Sequence, residues 1–158
     1  MLNIRDFTNT DKEQFCAMAE SFYNSDAVCC AIPKSNILKT FDLCIKKCPY
    51  ARGFIFEYNK VAAGFALISF THSTEAGGLV VLIEEVFIKE DFRGKGIVKE
   101  FFKLLDTQYG SLAKRYKLEV TKSNKKAIEI YKHYGFEVVE YLAMVKDAPA
   151  PHKAVSDK

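Results

Sequence analysis

The sequence predicts one α+β domain whose mixed sheet begins as an antiparallel meander and continues through one parallel βαβ unit, with helices on both faces. Three observations carry this. Two segments with apolar residues at helical spacing come first, and three β-rich runs joined by short turns then occupy residues 53–88. A strand, a glycine-bearing loop, a helix and a second strand follow over residues 79–121. With 158 residues, 49% apolar and 27% charged, the chain has the length and balance of one globular domain. Its 13 Phe and 8 Tyr, together with many aliphatic residues, exclude disorder as the main state.

Thr10-Asp11-Lys12-Glu13 has the form of a capping box, and Phe15, Met18, Ala19 and Phe22 then fall on one stripe, predicting a helix over 11–23. Ser35 is placed to cap a second helix, striped by Ile37, Phe41, Cys44, Ile45 and Cys48 and stopped by Pro49. Gly53–Tyr58 and Val61–Thr71 read as strands joined by a two-residue hairpin at Asn59-Lys60. Leu79–Ile88, apolar on both faces, reads as a central strand. A helix over 97–109 presents Ile97, Val98, Phe101, Phe102 and Leu105 inward and ends at Gly110. Tyr116–Thr121 is the strand expected to lie parallel to 79–88. Asn124–Tyr134 is the last helix, with Gly135 as its left-handed cap, and Phe136–Val145 reads as a last strand. Residues 1–147 are expected to form the domain, and 148–158, rich in Ala, Pro and Lys without period, a flexible tail.

A net charge of +3 is too small to argue for a nucleic-acid platform. The N-terminus, charged at Arg5 and Asp6, does not resemble a secretory signal. The apolar runs fall short of the roughly 20 residues that span a bilayer. Five cysteines, an odd number confined to the first third, fit a reduced cytoplasmic protein without disulfides. Cys44 and Cys48 stand at i, i+4, but no second ligand pair follows them, so no metal is expected.

The most informative segment is Val86-Phe87-Ile88-Lys89-Glu90-Asp91-Phe92-Arg93-Gly94-Lys95-Gly96-Ile97-Val98. It leads from a central strand through a glycine-bearing loop into a helix start, where first-turn amides and the helix dipole favour an anion and Arg93 and Lys95 add positive charge. Neither Gly-x-x-x-x-Gly-Lys-Ser/Thr nor Gly-x-Gly-x-x-Gly is present, so the nucleotide folds those motifs mark are not predicted.

Arg93-Gly94-Lys95-Gly96-Ile97-Val98 resembles the Arg/Gln-x-x-Gly-x-Gly/Ala signature of the GNAT superfamily of N-acetyltransferases, with Val98 standing where that family has Gly or Ala. Leu118-Glu119-Val120, Asn124, Ala127, Tyr131 and Gly135-Phe136 resemble its second block at the usual spacing. The resemblance implies a GNAT-like sheet whose two parallel strands splay apart to admit acetyl-CoA as cosubstrate. It implies that the edge at Val86, Phe87 and Ile88 pairs with the pantetheine arm, as an extended chain adds to a strand. The amides from Gly94 through Lys95, Gly96, Ile97 and Val98 to Lys99 would cradle the pyrophosphate beside Arg93. Asn124 would lie beside the CoA chain or act as a helix N-cap.

The implied reaction moves an acetyl group directly from acetyl-CoA to a primary amine of a small molecule or peptide. It needs a base for the ammonium, a donor for the oxyanion and an acid for the leaving thiolate. Tyr131 matches the family's tyrosine acid. Glu84 and Glu85 interrupt a central strand, so at least one carboxylate faces a covered surface or cleft, where burial would raise its pKa. Glu84 matches the acidic position of polyamine-type members and Glu119 that of ribosomal-protein N-terminal acetyltransferases. The preference runs to Glu84, then Glu119, with a water relay through both as a further option. Glu85 could instead be a buried partner of Arg or Lys.

The acceptor pocket implied by the family lies at the first two helices and their loop, where Phe22, Tyr23 and Asp26, with Glu84, are its candidates. Two other classes compete with the enzyme: an inactive CoA-binding regulatory module and a protein-interaction domain. The sheet edges would allow a homodimer.

Overall fold

The computed structural model describes residues 1–25, 28 and 31–148. One five-stranded sheet organises them in the order β1-β2-β3-β4-β5, formed by Leu2–Asp6, Ala51–Tyr58, Val61–Ser73, Gly78–Ile88 and Ala113–Leu118. The first three pairings are antiparallel and β4–β5 is parallel, the meander followed by a crossover that the turn lengths predict. Helices α1 (Lys12–Tyr23) and α2 (Lys34–Ile45) cover one face, and α3 (Ile97–Tyr109) covers the other. A fourth helix, α4 (Lys125–His133), follows β5.

Each face has its own aromatic core. Beneath α1 and α2, Phe7, Phe15, Phe41 and Phe65 pack with Ile37, Ile55 and Leu67. Beneath α3, Phe54, Phe56, Phe101, Ile68, Val81, Ile83 and Leu105 interlock. Offset and edge-on ring contacts, such as Phe15–Phe65 at 5.1 Å and Phe56–Phe101 at 5.3 Å, add to the area term.

Several boundaries differ from expectation. β1 was not predicted: its alternating Leu2, Ile4 and charged neighbours are too short a signal, and long-range pairing to β2 makes it a strand. The capping box stands two residues earlier than Thr10–Glu13 suggests, at Thr8 and Asp11 around a 3₁₀ turn (Asn9–Asp11) that leads into α1. Asp11, one of the most buried side chains, accepts from the Thr8 amide and hydroxyl at 2.7 Å and from both terminal nitrogens of Arg5. Burial works to raise the Asp11 pKa, but the Arg5 and Thr8 hydrogen bonds outweigh it and hold the carboxyl well below its usual range. The second helix starts behind Pro33 and stops at Ile45, short of Cys48, because Lys47 turns to φ +53°. β5 lies three residues earlier than Tyr116–Thr121. Asn59 and Lys60 both take positive φ in the expected two-residue turn, and Gly135 takes φ +84° after α4.

The largest correction concerns Phe136–Val145. No strand forms there, because no described residue pairs with it, and residues 137–148 are exposed throughout. Of the predicted tail 148–158, all but residue 148 lies outside the described residues.

Candidate active site

β4 and β5 pair only from Leu79↔Ala113 to Ile83↔Leu118. Past Ile83, β4 continues for five residues beside β3, and its other edge along Glu84–Ile88 has no strand partner among the described residues. This is the splay expected of the two parallel strands. Val86 and Ile88 pack toward the α3 core and Phe87 toward the α1–α2 core. On the opposite edge β3 passes very close: a Cβ on Gly64 would stand 2.1 Å from the Phe87 carbonyl oxygen.

The strand runs into a 3₁₀ turn at Glu90–Phe92 and then the glycine loop. Gly94 and Gly96 both have φ +75°, Gly96 caps α3, and a Cβ built on either would meet open space. The amides of Ile97, Val98 and Lys99 open α3 with no acceptor inside the helix, while Glu100 is the first to bond back, to Gly96. Ile97 is buried, Val98 is half-buried and Lys99 is exposed. Arg93 reaches back to the Ile88 carbonyl at 3.2 Å, which ties the loop to the end of β4. Lys95 lies over the rings of Phe92 and Tyr58, its Nζ 4.8 and 5.1 Å from their centroids.

The two glutamates sit at a bulge. Leu67 pairs with Glu85 but Ile68 pairs with Ile83, so Glu84 is an extra residue in the ladder. Glu84 is exposed and accepts from the Ser69 hydroxyl. Glu85 lies under α1, where the Tyr23 hydroxyl donates to its Oε1 at 2.5 Å. Its Oε2 is buried with no hydrogen-bond partner among the described residues. Burial, reinforced by the neighbouring Glu84 charge and only partly offset by Tyr23, pushes the Glu85 pKa up to about 7. Phe15, Ala19, Tyr23, Ile32, Leu67 and Glu85 are among the residues that enclose a cavity of about 20 Å³ beside this carboxyl.

The remaining candidates are dispersed. Glu119 lies beyond β5, exposed, with Lys117 at 3.9 Å. Tyr131 sits on α4 in ring contact with Phe102 and Phe136, and burial raises its pKa, keeping the phenol protonated. Asn124 is the N-cap of α4, its Oδ1 accepting from the Ala127 amide at 3.2 Å. Phe22 packs edge-on against Phe65 and Phe87 as part of the core, and Tyr23 meets Glu85. Asp26 lies outside the described residues.

The Acetyltransferase (GNAT) family matches residues 16–136. The chain belongs to this family. Among GNAT relatives, thialysine N-epsilon-acetyltransferase of Sus scrofa is 32% identical over 73 residues, 46% of this chain and 42% of that protein. The chain thus matches less than half the length of this curated relative. Two solved structures share the GNAT fold. One is AAC(6')-Iy with the bisubstrate analogue CoA-S-monomethyl-acetylneamine (TM-score 0.76, 20% identity, 94% of this chain and 99% of that one). The other is a predicted acetyltransferase from Clostridium acetobutylicum with acetyl-CoA (TM-score 0.73, 18% identity, 92% and 96%).

Within this GNAT domain, Glu85 is the residue that sequence reasoning set aside. Strict alternation cannot tell which of two adjacent glutamates is covered, and a bulge leaves little local signal. The one available clue was an acidic pair in an otherwise apolar strand.

Proposed function

We propose that the protein is an acetyl-CoA-dependent N-acetyltransferase acting on a primary amine. One observation carries the reading: the unpaired β4 edge leads through Arg93 and the two positive-φ glycines into free α3 amides, with a buried carboxyl of raised pKa on the same strand. An extended arm fits along Val86–Ile88 and a pyrophosphate fits over the amides of Gly94–Lys99, with Arg93 and Lys95 adding charge. When bound, acetyl-CoA supplies an activated acetyl group.

The chain's own residues supply proton handling. Only a neutral amine attacks, so the acceptor ammonium must lose a proton, and Glu85 Oε2 is the group we assign to take it. A carboxyl with a pKa near 7 is matched to that task at neutral pH. The adjoining cavity of about 20 Å³ has room for one water-sized group, which an ammonium head also is. The first-choice base, Glu84, and the second, Glu119, are exposed and bonded elsewhere, which favours Glu85 over both. Tyr131 Oη, kept protonated by burial, is assigned as the acid that returns a proton to the thiolate. Phe22 and Tyr23 would line the acceptor side.

The test is thiol release from acetyl-CoA across a panel of polyamines, aminoglycosides, amino acids and N-terminal peptides. Turnover with at least one amine, lost in Glu85→Gln, is the expected result. Binding alone, which at 100 times Kd adds about 2.7 kcal/mol of stability, without turnover on any amine would make the chain a CoA-binding module instead. Absence of any CoA-induced rise in Tm would overturn the reading altogether.

A further inference from the structure

The bulge in β4 places both glutamates on one face of the sheet, and that face continues onto two cations. Leu67 and Phe87 identify the face, because both pack into the core under α1 and α2. Glu85 pairs with Leu67 and meets Tyr23 of α1 on the same side. Ile68 and Phe70 pack under α3, so Ser69 between them points the other way. Glu84 lies with it, since the Ser69 hydroxyl donates to its carboxylate.

β5 extends this face. Tyr116 and Leu118 pack into the α3 core beside Val81 and Ile83, which leaves Arg115 and Lys117 on the α1–α2 side, level with Val80 and Leu82. Both cations are exposed. Their ion pairs among the described residues are long, Arg115 with Glu75 at 3.4 Å and Lys117 with Glu119 at 3.9 Å, and such exposed pairs are weak. From Glu85 back toward the start of β4, the face runs from buried carboxyl to exposed carboxylate, then Lys117, then Arg115. At one strand spacing and three residues shortened by the bulge, the backbones at Glu85 and Lys117 lie about 10 Å apart. The cations stand on the paired part of the strands, whereas the open edge of β4 begins at Glu84. A donor lying along Val86–Ile88 thus leaves them beyond the glutamates, on the side from which an acceptor approaches.

Resting on the acetyl-transfer reading above, we infer that Lys117 and Arg115 hold a carboxylate of the acceptor. The substrate is then an amino acid or short peptide with its amine and carboxylate both free. A guanidinium and an ammonium on neighbouring rungs can each take one carboxylate oxygen. A polyamine or an aminoglycoside would instead set its further cations against Lys117 and Arg115, a like-charge contact that selects against it.

The test compares kcat/KM, on the full chain with acetyl-CoA, for amino acids and dipeptides against their C-terminal amides, with polyamines and aminoglycosides alongside. The free acid is expected to exceed its amide by roughly tenfold or more, mainly through KM. R115E/K117E should reverse the order, making the amide the better acceptor of each pair, and R115K/K117R should keep it. Acids and amides used equally, a polyamine or aminoglycoside preferred, or an order unmoved in R115E/K117E would each overturn the inference and leave acetyl transfer standing. Absence of turnover on every amine is the failure of the underlying reading, and the inference falls with it. Should R115E/K117E lose its far-ultraviolet dichroism, R115Q/K117Q decides by the same ratio: an acid preference equal to that of the wild type overturns the inference.

Discussion

Along β2, β3 and β4, side chain after side chain is fully enclosed: Phe54, Ile55, Phe56, Phe65, Ile68 and Val81 each sit between the sheet and a helix. Across the splay, β5 and α4 bury no residue completely. The first region is a self-sufficient scaffold with a core on both faces. The second holds Tyr131, Asn124 and the free segment, and relies on ring contacts with Phe102 and on caps. A stable half can carry a strained or charged group such as Glu85, while the thin half leaves open the gap that a ligand has to enter.

The sharpest way to break this contrast is a truncation in the scaffold. Phe65→Ala removes a ring that touches Phe15, Phe22 and Phe87 and should cost about 3–5 kcal/mol in urea unfolding. A loss below 1 kcal/mol would mean that the two cores are not the source of stability.

Next comes Glu85. Below its unfolded pKa of 4.5 both states hold the proton. As pH rises toward about 7 the unfolded chain gives it up first, so the folded state loses about 3 kcal/mol from this group by pH 8. Glu85→Gln has no such loss. It should match the wild type in stability near pH 4 and exceed it at pH 8, while turnover falls roughly 10²–10⁴-fold. Equal stability difference at both pH values would remove the buried carboxylate from the account.

In the thin half the effects should be on chemistry rather than folding. Tyr131→Phe is expected to keep the midpoint of unfolding and to lower thiol release with acetyl-CoA by roughly 10²-fold, the low end of what a positioned acid contributes. A large drop in stability with unchanged turnover would reassign Tyr131 to packing. The smallest effect belongs to Asn124→Ala, which removes the α4 cap and should cost about 1 kcal/mol. Weaker CoA binding without that loss would give Asn124 a ligand role instead.

What was legible in the sequence follows the same division. The Asn59-Lys60 turn, the α3 stripe and Gly135 are local signals with one physical reading, and the structure has each where it was expected. The loop from Arg93 to Val98 was legible as a strand-to-helix turn, because two glycines before an apolar helical stripe mark a backbone that needs positive φ. β1 depends on a partner far away in the chain, and Phe136–Val145 finds none among the described residues, which no local pattern reports. The position of the buried carboxyl turned on one bulge, and alternation is blind to that.

That bulge has a consequence for how the cleft is encoded. Remove Glu84 from the chain, and Ile83 and Glu85 become consecutive partners of Ile68 and Leu67 in a regular ladder. Every flanking side chain would keep its present face, Glu85 under α1 and Val86 toward α3. The extra right-handed twist that a bulge imparts would go, and it falls beside the last β4–β5 pair, Ile83↔Leu118. Deleting Glu84, which leaves Glu85, Tyr131 and the glycine loop in place, would be expected to narrow the entrance, making the count of residues in one strand a tuning parameter for ligand size.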